Sequence, residues 1–158
     1  MMHSLYDLIL EAVINSQEAG AKNVGVSLVE KDNRIFVTVS DDGKLEVDKD
    51  AFSFGYSTKG KCRGKGLWYI KSIDSDASLD RKGRNTVLRF TFPSIPSSEA
   101  IENEIFPIFQ RVMNTTLSYT KDDKKLFSIS KRKDELQTVR EIADFRNELR
   151  AIKGEHDV

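Results

Sequence analysis

The chain has 158 residues, and its 25 basic and 25 acidic side chains give a formal net charge of zero. This length suffices for one domain with an ordinary core, and 39% hydrophobic content argues against intrinsic disorder. Balanced charge gives no electrostatic reason to expect a nucleic acid partner. The single cysteine, Cys62, excludes an internal disulfide framework and suits a reducing compartment, so we expect a cytoplasmic protein.

The predicted elements begin with a helix over residues 5–19, where apolar residues recur at helical spacing and Gly20 marks the end. Alternating apolar residues then predict two antiparallel strands, over residues 24–28 and 35–39. The next segment, 43–66, is polar, contains glycines and lacks periodicity. A connection of that length is unusual, so we interpret it as a functional lid.

A second helix is predicted to begin between residues 64 and 66, and a second hairpin pairs residues 77–80 with residues 86–92. The prolines and serines that follow predict a connector over residues 94–98. We therefore place a first domain at residues 1–93.

Residues 99–158 are expected to form a mostly helical extension. A helix over residues 99–113 is interrupted at Pro107, a short hairpin forms across residues 121–124, and an amphipathic helix covers residues 135–152. The last helix has an apolar stripe that must pack on this chain or on another one, consisting of Leu136, Val139, Ile142, Ala143, Phe145, Leu149 and Ile152. No segment approaches the roughly 20 consecutive apolar residues that span a bilayer.

The polar face of the first helix carries Glu11, Asn15 and Glu18 at helical spacing. Carboxylate and amide oxygens suit Mg²⁺ and the activation of water. A solvated face of an amphipathic helix has the same composition, so this pattern alone does not distinguish a site from a surface.

The end of the second strand carries Asp41, followed by Asp42 and Gly43. A carboxylate held there could accept a hydrogen bond from an exocyclic amine, and a glycine allows the backbone to turn closely around a flat ligand. A simple turn has the same sequence.

The third segment, residues 54–67, concentrates hydroxyls, cations and glycines before a helix start. Backbone N–H groups near Gly64 and Gly66, together with the positive end of the helix dipole, favour a phosphate chain. The spacing does not fit a Walker A loop.

The order and spacing of these pieces resemble the GHKL (Bergerat-fold) ATPases, which include sensor histidine kinases, anti-sigma-factor serine kinases, mismatch-repair ATPases, type II topoisomerases and a class of heat-shock chaperones. The resemblance covers residues 5–93. Residues 54–71 are closest to citrate-sensor-type histidine kinases, and residues 15–21 are also similar to mismatch-repair ATPases. The similar segments are residues 11–21 (N box), 41–43 (G1 box), 57–67 (lid and G2 box) and 83–86 (last box).

This resemblance implies a two-layer α/β sandwich with a mixed, mainly antiparallel sheet that binds ATP and Mg²⁺. It implies that Asn15 ligates Mg²⁺, Asp41 bonds the adenine amine, Gly43 lets the base approach and Thr86 supports the adenine end through water. Glu11 takes the position of a general base. The phosphates would contact the lid residues Ser57, Thr58 and Lys59 and the backbone of Gly64, Lys65, Gly66 and Leu67.

The chain also departs from the family pattern. Leu45 stands where relatives have a second glycine, and Asn85 replaces the glycine before Thr86. The only histidines, His3 and His156, lie near the ends of the sequence and not on a helical hairpin before the N box. Any phospho-acceptor histidine is therefore expected on another chain.

These observations predict a cytoplasmic signalling protein that binds ATP and Mg²⁺ and hydrolyses ATP or transfers its γ-phosphate to a protein partner. Two alternatives stay open. One is a nucleotide-gated interaction module without chemistry, and the other is the catalytic half of a split sensor histidine kinase. A homodimer through the C-terminal helices is a further expectation.

Overall fold

A computed structural model describes residues 4–43, 65–93, 101–110, 113–132 and 135–156. Most of the predicted lid and the whole predicted connector lie outside these ranges. Within them the chain forms, in order, α1 (Leu5–Glu18), β1 (Asn23–Lys31), β2 (Arg34–Asp41), α2 (Lys65–Ile73), β3 (Ser78–Lys82), β4 (Asn85–Phe92), α3 (Ile101–Phe109), β5 (Asn114–Lys121), β6 (Lys124–Lys131) and α4 (Val139–His156).

The strands form one six-stranded sheet in the order β3-β4-β2-β1-β5-β6. Neighbouring strands pair antiparallel, except that β1 and β5 pair in parallel. The prediction of an α/β fold with a mixed, mainly antiparallel sheet is therefore confirmed. Both predicted hairpins before residue 93 are present.

Local sequence explains the helix start and the tight turns. Ser4 caps α1, because its side chain accepts a hydrogen bond from the Asp7 backbone N–H at 3.1 Å. The turn between β1 and β2 is Asp32-Asn33, with φ of 54° and 60°. Left-handed conformations at both central residues make a type I′ turn, which matches the twist of paired strands. In the β3–β4 turn Gly83 has φ of 61°, and Asn85 already belongs to β4.

The helices cover one face of the sheet. On β1 and β2 the buried residues alternate with more exposed ones, so that Val26, Leu28 and Val37 face the helices. On the other face, Ser27 and Thr38 are partly exposed. Helix α1 packs on β1 and β2 and touches α2 and α3, while α3 touches α4. This arrangement is a layer of helices on a layer of strands.

The chain beyond residue 98 continues the same sheet and the same core. Strand β5 pairs with β1 along Asn23–Glu30, and the β5–β6 hairpin has eight residues in each strand, longer than the predicted one. Buried Ile105 and Phe145 belong to the same hydrophobic cluster as Leu5 and Ile9 of α1. The parts predicted as residues 1–93 and 99–158 therefore share one sheet.

The two later helices differ in extent from their predictions. Pro107 lies inside α3, which ends at Phe109. Helix α4 begins at residue 139 and not at 135, because Thr138 and Glu141 form a capping box with bonds of 3.0 and 3.1 Å. Of the predicted apolar stripe, Phe145 and Leu149 are buried, whereas Ala143 is exposed and Val139 is 85% exposed. No helix among the described residues is both long and apolar enough to cross a membrane.

Candidate functional site

A small cavity lies where α1 and α2 meet the strands β2, β3 and β4. Its volume is about 40 Å³. Four predicted site residues, which come from four different elements, border it. The described lining residues are Ala12, Asn15, Ser16, Val39, Asp41, Leu67, Leu79, Thr86 and Leu88.

Strand register places two polar side chains, Asp41 and Thr86, at the cavity. Asp41 and Thr86 are direct partners in the antiparallel pair of β2 and β4. Both belong to the helix-covered face, because they continue the alternation of Val39 and Leu88. Asp41 is 8% exposed and Thr86 is 3% exposed, so two polar side chains lie side by side under α1.

The Asp41 carboxylate is held by one bond to each oxygen. Buried Ser16 donates its hydroxyl to Oδ2 at 2.6 Å, and the Gly43 backbone N–H donates to Oδ1 at 2.8 Å. A carboxylate offers about four lone-pair positions, so Asp41 can accept further bonds from a ligand in the cavity. Ser16, which directly follows Asn15, was not predicted as a site residue.

Gly43 is required by close packing in this structure. A Cβ at this position would lie 2.9 Å from Asp41 Oδ1, 3.0 Å from Ala19 Cβ and 3.2 Å from Ala19 O. The side of Gly43 on which a Cβ would stand therefore faces the end of α1 and the carboxylate of Asp41. That it also lets a base approach stays a prediction.

Arg81 of β3 was not predicted as a site residue. Its Nη1 donates to the Gly43 carbonyl at 2.5 Å and to Thr86 Oγ1 at 3.1 Å. The guanidinium thus joins the end of β2 to β4. Because Thr86 Oγ1 accepts this bond, its own O–H remains a donor for the cavity. No local sequence signal marks Arg81, which lies among exposed residues near a turn.

The polar face of α1 meets the cavity only in part. Asn15 borders it, and Glu11 lies one helical turn earlier on the same face. Glu11 is partly buried and its Oε2 is shielded from solvent, but it is not among the described lining residues. Within the described ranges, no group of three or more His, Cys, Asp or Glu side chains could hold a metal ion.

The predicted phosphate-binding segment lies largely outside the described residues. Ser57, Thr58, Lys59 and Gly64 belong to that part of the chain. Helix α2 begins at Lys65, within the predicted range, and Leu67 in its first turn borders the cavity. The first turn of α2 therefore borders the same cavity as Asp41 and Thr86.

A larger cavity of about 550 Å³ is separate from these residues. It lies along the C-terminal end of β4, from the point where the pairing with β3 ends at Ser78 and Arg89. Its lining includes Arg34, Phe36, Asp74, Arg89 and Thr91. The Asp74 carboxylate accepts a hydrogen bond there from the Thr91 N–H at 2.8 Å. None of the predicted site residues is among its described lining residues.

Comparisons with known proteins bear on the fold alone. A scan against protein-family models found no match, and a search of curated proteins found none. Among solved structures, the chain is similar to one described as "Crystal Structure of N terminal domain of a DNA repair protein", with a TM-score of 0.56 and 14% identity. The similarity covers 89% of this chain and 56% of that one, so this chain spans little more than half of its neighbour's length.

Proposed function

We propose that the chain is a cytoplasmic signalling protein of the GHKL type that binds ATP and Mg²⁺ at the cavity beneath α1. The observation that carries the proposal is the meeting of Asn15, Asp41, Leu67 and Thr86 at one cavity. They lie far apart in the sequence, between positions 15 and 86, and the family resemblance assigns all four to one nucleotide site.

The adenine end of the proposed site consists of Asp41, Thr86 and apolar walls. Asp41 retains lone pairs for the exocyclic amine, and its orientation is fixed by Ser16 and Gly43. Val39, Leu79 and Leu88 offer an apolar surface to a flat ring. An accepting carboxylate beside apolar walls fits a purine that carries an amino group.

The metal and phosphate end of the proposed site begins at Asn15. Mg²⁺ is commonly held by few protein oxygens together with substrate phosphates, so a single amide ligand on α1 is compatible with ATP-bound Mg²⁺. The bound ion would neutralise phosphate charge. The first turn of α2, from Lys65 to Leu67, would present backbone N–H groups to the phosphates. The lid contacts of Ser57, Thr58 and Lys59 remain part of the proposal.

A nucleotide needs more room than the cavity offers. Its volume of about 40 Å³ would hold about three water molecules, whereas ligand pockets are typically about 300–1,000 Å³. The proposal therefore includes a widening of the site, in which two lining residues, Leu67 of α2 and Leu79 of β3, would move apart.

Thermal unfolding with matched nucleotides tests the proposal. ATP with Mg²⁺ is expected to stabilise the protein by about 2.7 kcal/mol at 100 times its dissociation constant. ITP differs from ATP by an oxygen in place of the amine, so it should stabilise far less. No stabilisation by ATP would contradict the proposal, and equal stabilisation by ATP and ITP would contradict the role of Asp41.

Two candidate functions differ in whether the bound ATP reacts. In the enzyme candidate Glu11 acts as general base for attack on the γ-phosphate by water or by a hydroxyl of a protein partner. In the second candidate ATP only gates an interaction, which the position of Glu11 outside the described cavity lining favours. Phosphate release by the wild type that is lost in Glu11→Gln, with ATP binding retained, would identify the enzyme. A wild type that binds ATP but shows no turnover, either alone or with partner proteins, would identify the gate.

A further inference from the structure

A second set of hydrogen bonds holds Asp42, the residue after Asp41, and extends to the β5–β6 hairpin, which we call the C-terminal hairpin. Asp42 Oδ1 accepts from the backbone N–H groups of Lys22 and Asn23, at 2.7 and 3.0 Å. Asp42 Oδ2 accepts from the Asn23 side-chain amide at 2.8 Å. In turn, Asn23 Oδ1 accepts from the side-chain amide of Asn114, the first residue of β5, at 2.8 Å.

The direction of these bonds is imposed by their chemistry. An ionised carboxylate only accepts, so Asn23 must present its NH₂ group to Asp42. The carbonyl oxygen of Asn23 therefore faces Asn114, which must present its own NH₂ group. The three side chains form a relay in which each amide orientation depends on the next.

Backbone bonds hold the same three segments together. The Asn114 N–H donates to the Lys22 carbonyl at 2.9 Å, and the Asp42 N–H donates to the Asn23 carbonyl at 3.3 Å. Residues 22–23 are thus held between β5 on one side and Asp42 on the other. Asp42 lies between Asp41 and Gly43, which are joined by the bond from the Gly43 N–H to the Asp41 carboxylate.

We propose that Asn114 is a positioning residue of the nucleotide site, acting through Asn23 and Asp42 on residues 41–43, so that the C-terminal hairpin sets the affinity for ATP. This inference rests on the proposed function. A partner that binds or displaces the β5–β6 hairpin would change ATP affinity, and ATP would change the affinity for that partner by the same factor.

The decisive variant is Asn114→Asp, which keeps the side-chain shape but removes the NH₂ donor. The Asn23 amide then lies between two carboxylates, that of Asp42 and that of the substituted residue 114. Its NH₂ group can donate to only one of them, so its oxygen faces the other and one hydrogen bond of the relay is lost. Asn114→Ala removes the donor without adding charge. The matched control is Thr116→Val, which removes the exposed bond of 2.7 Å between the Thr116 and Ser130 hydroxyls on the same hairpin.

Two measurements are made on each protein. Amide hydrogen exchange at Gly43 reports the order of residues 41–43 without any nucleotide, and titration with ATP and Mg²⁺ reports affinity. Coupling between sites is typically about 5–150-fold, so we expect Asn114→Asp to speed Gly43 exchange and to weaken ATP binding by about fivefold or more. Asn114→Ala should change both in the same direction, and Thr116→Val should change neither.

The outcomes distinguish this inference from the function it rests on. Unchanged Gly43 exchange and ATP affinity in both Asn114 variants, even with lower thermal stability, would show a merely structural residue and overturn the inference. Faster Gly43 exchange in the Asn114 variants of a protein that binds no ATP would support the relay and overturn the proposed function. If Thr116→Val changed Gly43 exchange and ATP affinity as much as the Asn114 variants do, the effect would not be specific to the relay, and the inference would be overturned.

Discussion

Two carboxylates on the helix-covered face of the sheet each accept a short hydrogen bond from a buried hydroxyl, yet their surroundings differ. Asp41 accepts from Ser16 at 2.6 Å, and Glu30 accepts from Tyr119 at 2.5 Å. Glu30 also pairs with Lys121, at 3.4 Å, so a cation balances its charge. The oxygens of Asp41 are held by the Ser16 hydroxyl and the Gly43 backbone amide, and its side chain borders the cavity.

This difference shows that burial of a carboxylate does not by itself identify a binding site. Glu30 is 6% exposed and Asp41 is 8% exposed, so burial does not separate them. Among the described residues, they differ in that Glu30 has a salt bridge to Lys121 and Asp41 has an adjoining cavity. Glu30 joins β1 to β5 through Tyr119 and Lys121, which indicates a structural role. Asp41 has lone pairs without a partner among the described residues, and they lie beside apolar walls, which favours the proposed role in recognition.

The largest expected effect comes from removing the charge of Asp41 or of Glu30. Asp41→Asn should weaken ATP binding by about 100-fold, as expected for loss of hydrogen bonds to a charged acceptor. Glu30→Gln makes the same chemical change and should leave ATP affinity unaltered while lowering the free energy of unfolding. Isothermal titration and urea unfolding of both variants measure the two quantities. Equal loss of ATP affinity in the two variants would remove the distinction drawn between the two carboxylates.

The structural role of Glu30 is tested by two tyrosines. Burial, followed by the hydrogen bond to Glu30, raises the pKa of Tyr119, so its phenol stays neutral and donates. Tyr119→Phe removes a bond to a charged group and should lower the free energy of unfolding by about 2 kcal/mol.

Tyr6 is the matched control for that experiment. It is 1% exposed, and its hydroxyl has no hydrogen-bond partner among the described residues. Tyr6→Phe removes a polar atom that the fold leaves unsatisfied, so the free energy of unfolding should stay constant or rise. Chemical denaturation of both variants provides the comparison, and a larger loss for Tyr6→Phe than for Tyr119→Phe would contradict it.

The pair of Glu30 and Tyr119 also shows what the sequence could not predict. The two residues are 89 positions apart. They meet because β5 pairs in parallel with β1, and such a pairing leaves no local pattern in either strand. For the same reason the sequence did not predict that the chain beyond residue 98 would extend the first sheet. The Asn23–Asn114 contact also depends on this pairing. The bonds of Arg81 depend instead on the packing of β3 and β4 beside the end of β2.

Local patterns predicted the other parts well. Helix α1, the first two hairpins and the start of α2 have clear periodicity and turn residues, and the structure confirms them. Asp41 and Thr86 were singled out because the order of the motifs resembles a known family, and strand register places them opposite each other. The start of α4 was placed too early, although the Thr138–Glu141 capping box was visible in the sequence.

A smaller expected effect concerns Gly43. In Gly43→Ala the new methyl group would approach Asp41 Oδ1 to 2.9 Å and Ala19 Cβ to 3.0 Å, so one of them must move. Overpacking of this kind costs about 1–3 kcal/mol, and movement of the carboxylate should also weaken ATP binding. Gly25→Ala is a suitable control, because a Cβ there would meet nothing within 4 Å. The measurements are urea unfolding and ATP titration, and unchanged stability and ATP affinity in Gly43→Ala would contradict the packing argument.

The smallest expected effect comes from Asp42, the partly exposed neighbour of Asp41. Hydrogen bonds from the Asn23 side chain, and then from the Asn23 backbone, lower the pKa of Asp42 below its ordinary value of 3.8. A lowered pKa in the folded state means that Asp42 stabilises the fold above pH 3.8, and that this contribution is lost as the pH falls through the lowered pKa. The difference in unfolding free energy between the wild type and Asp42→Asn should therefore be constant near neutral pH and shrink in acid. Urea unfolding over a pH series measures it, and a difference that does not change with pH would show that the bonds from Asn23 do not depend on the charge of Asp42.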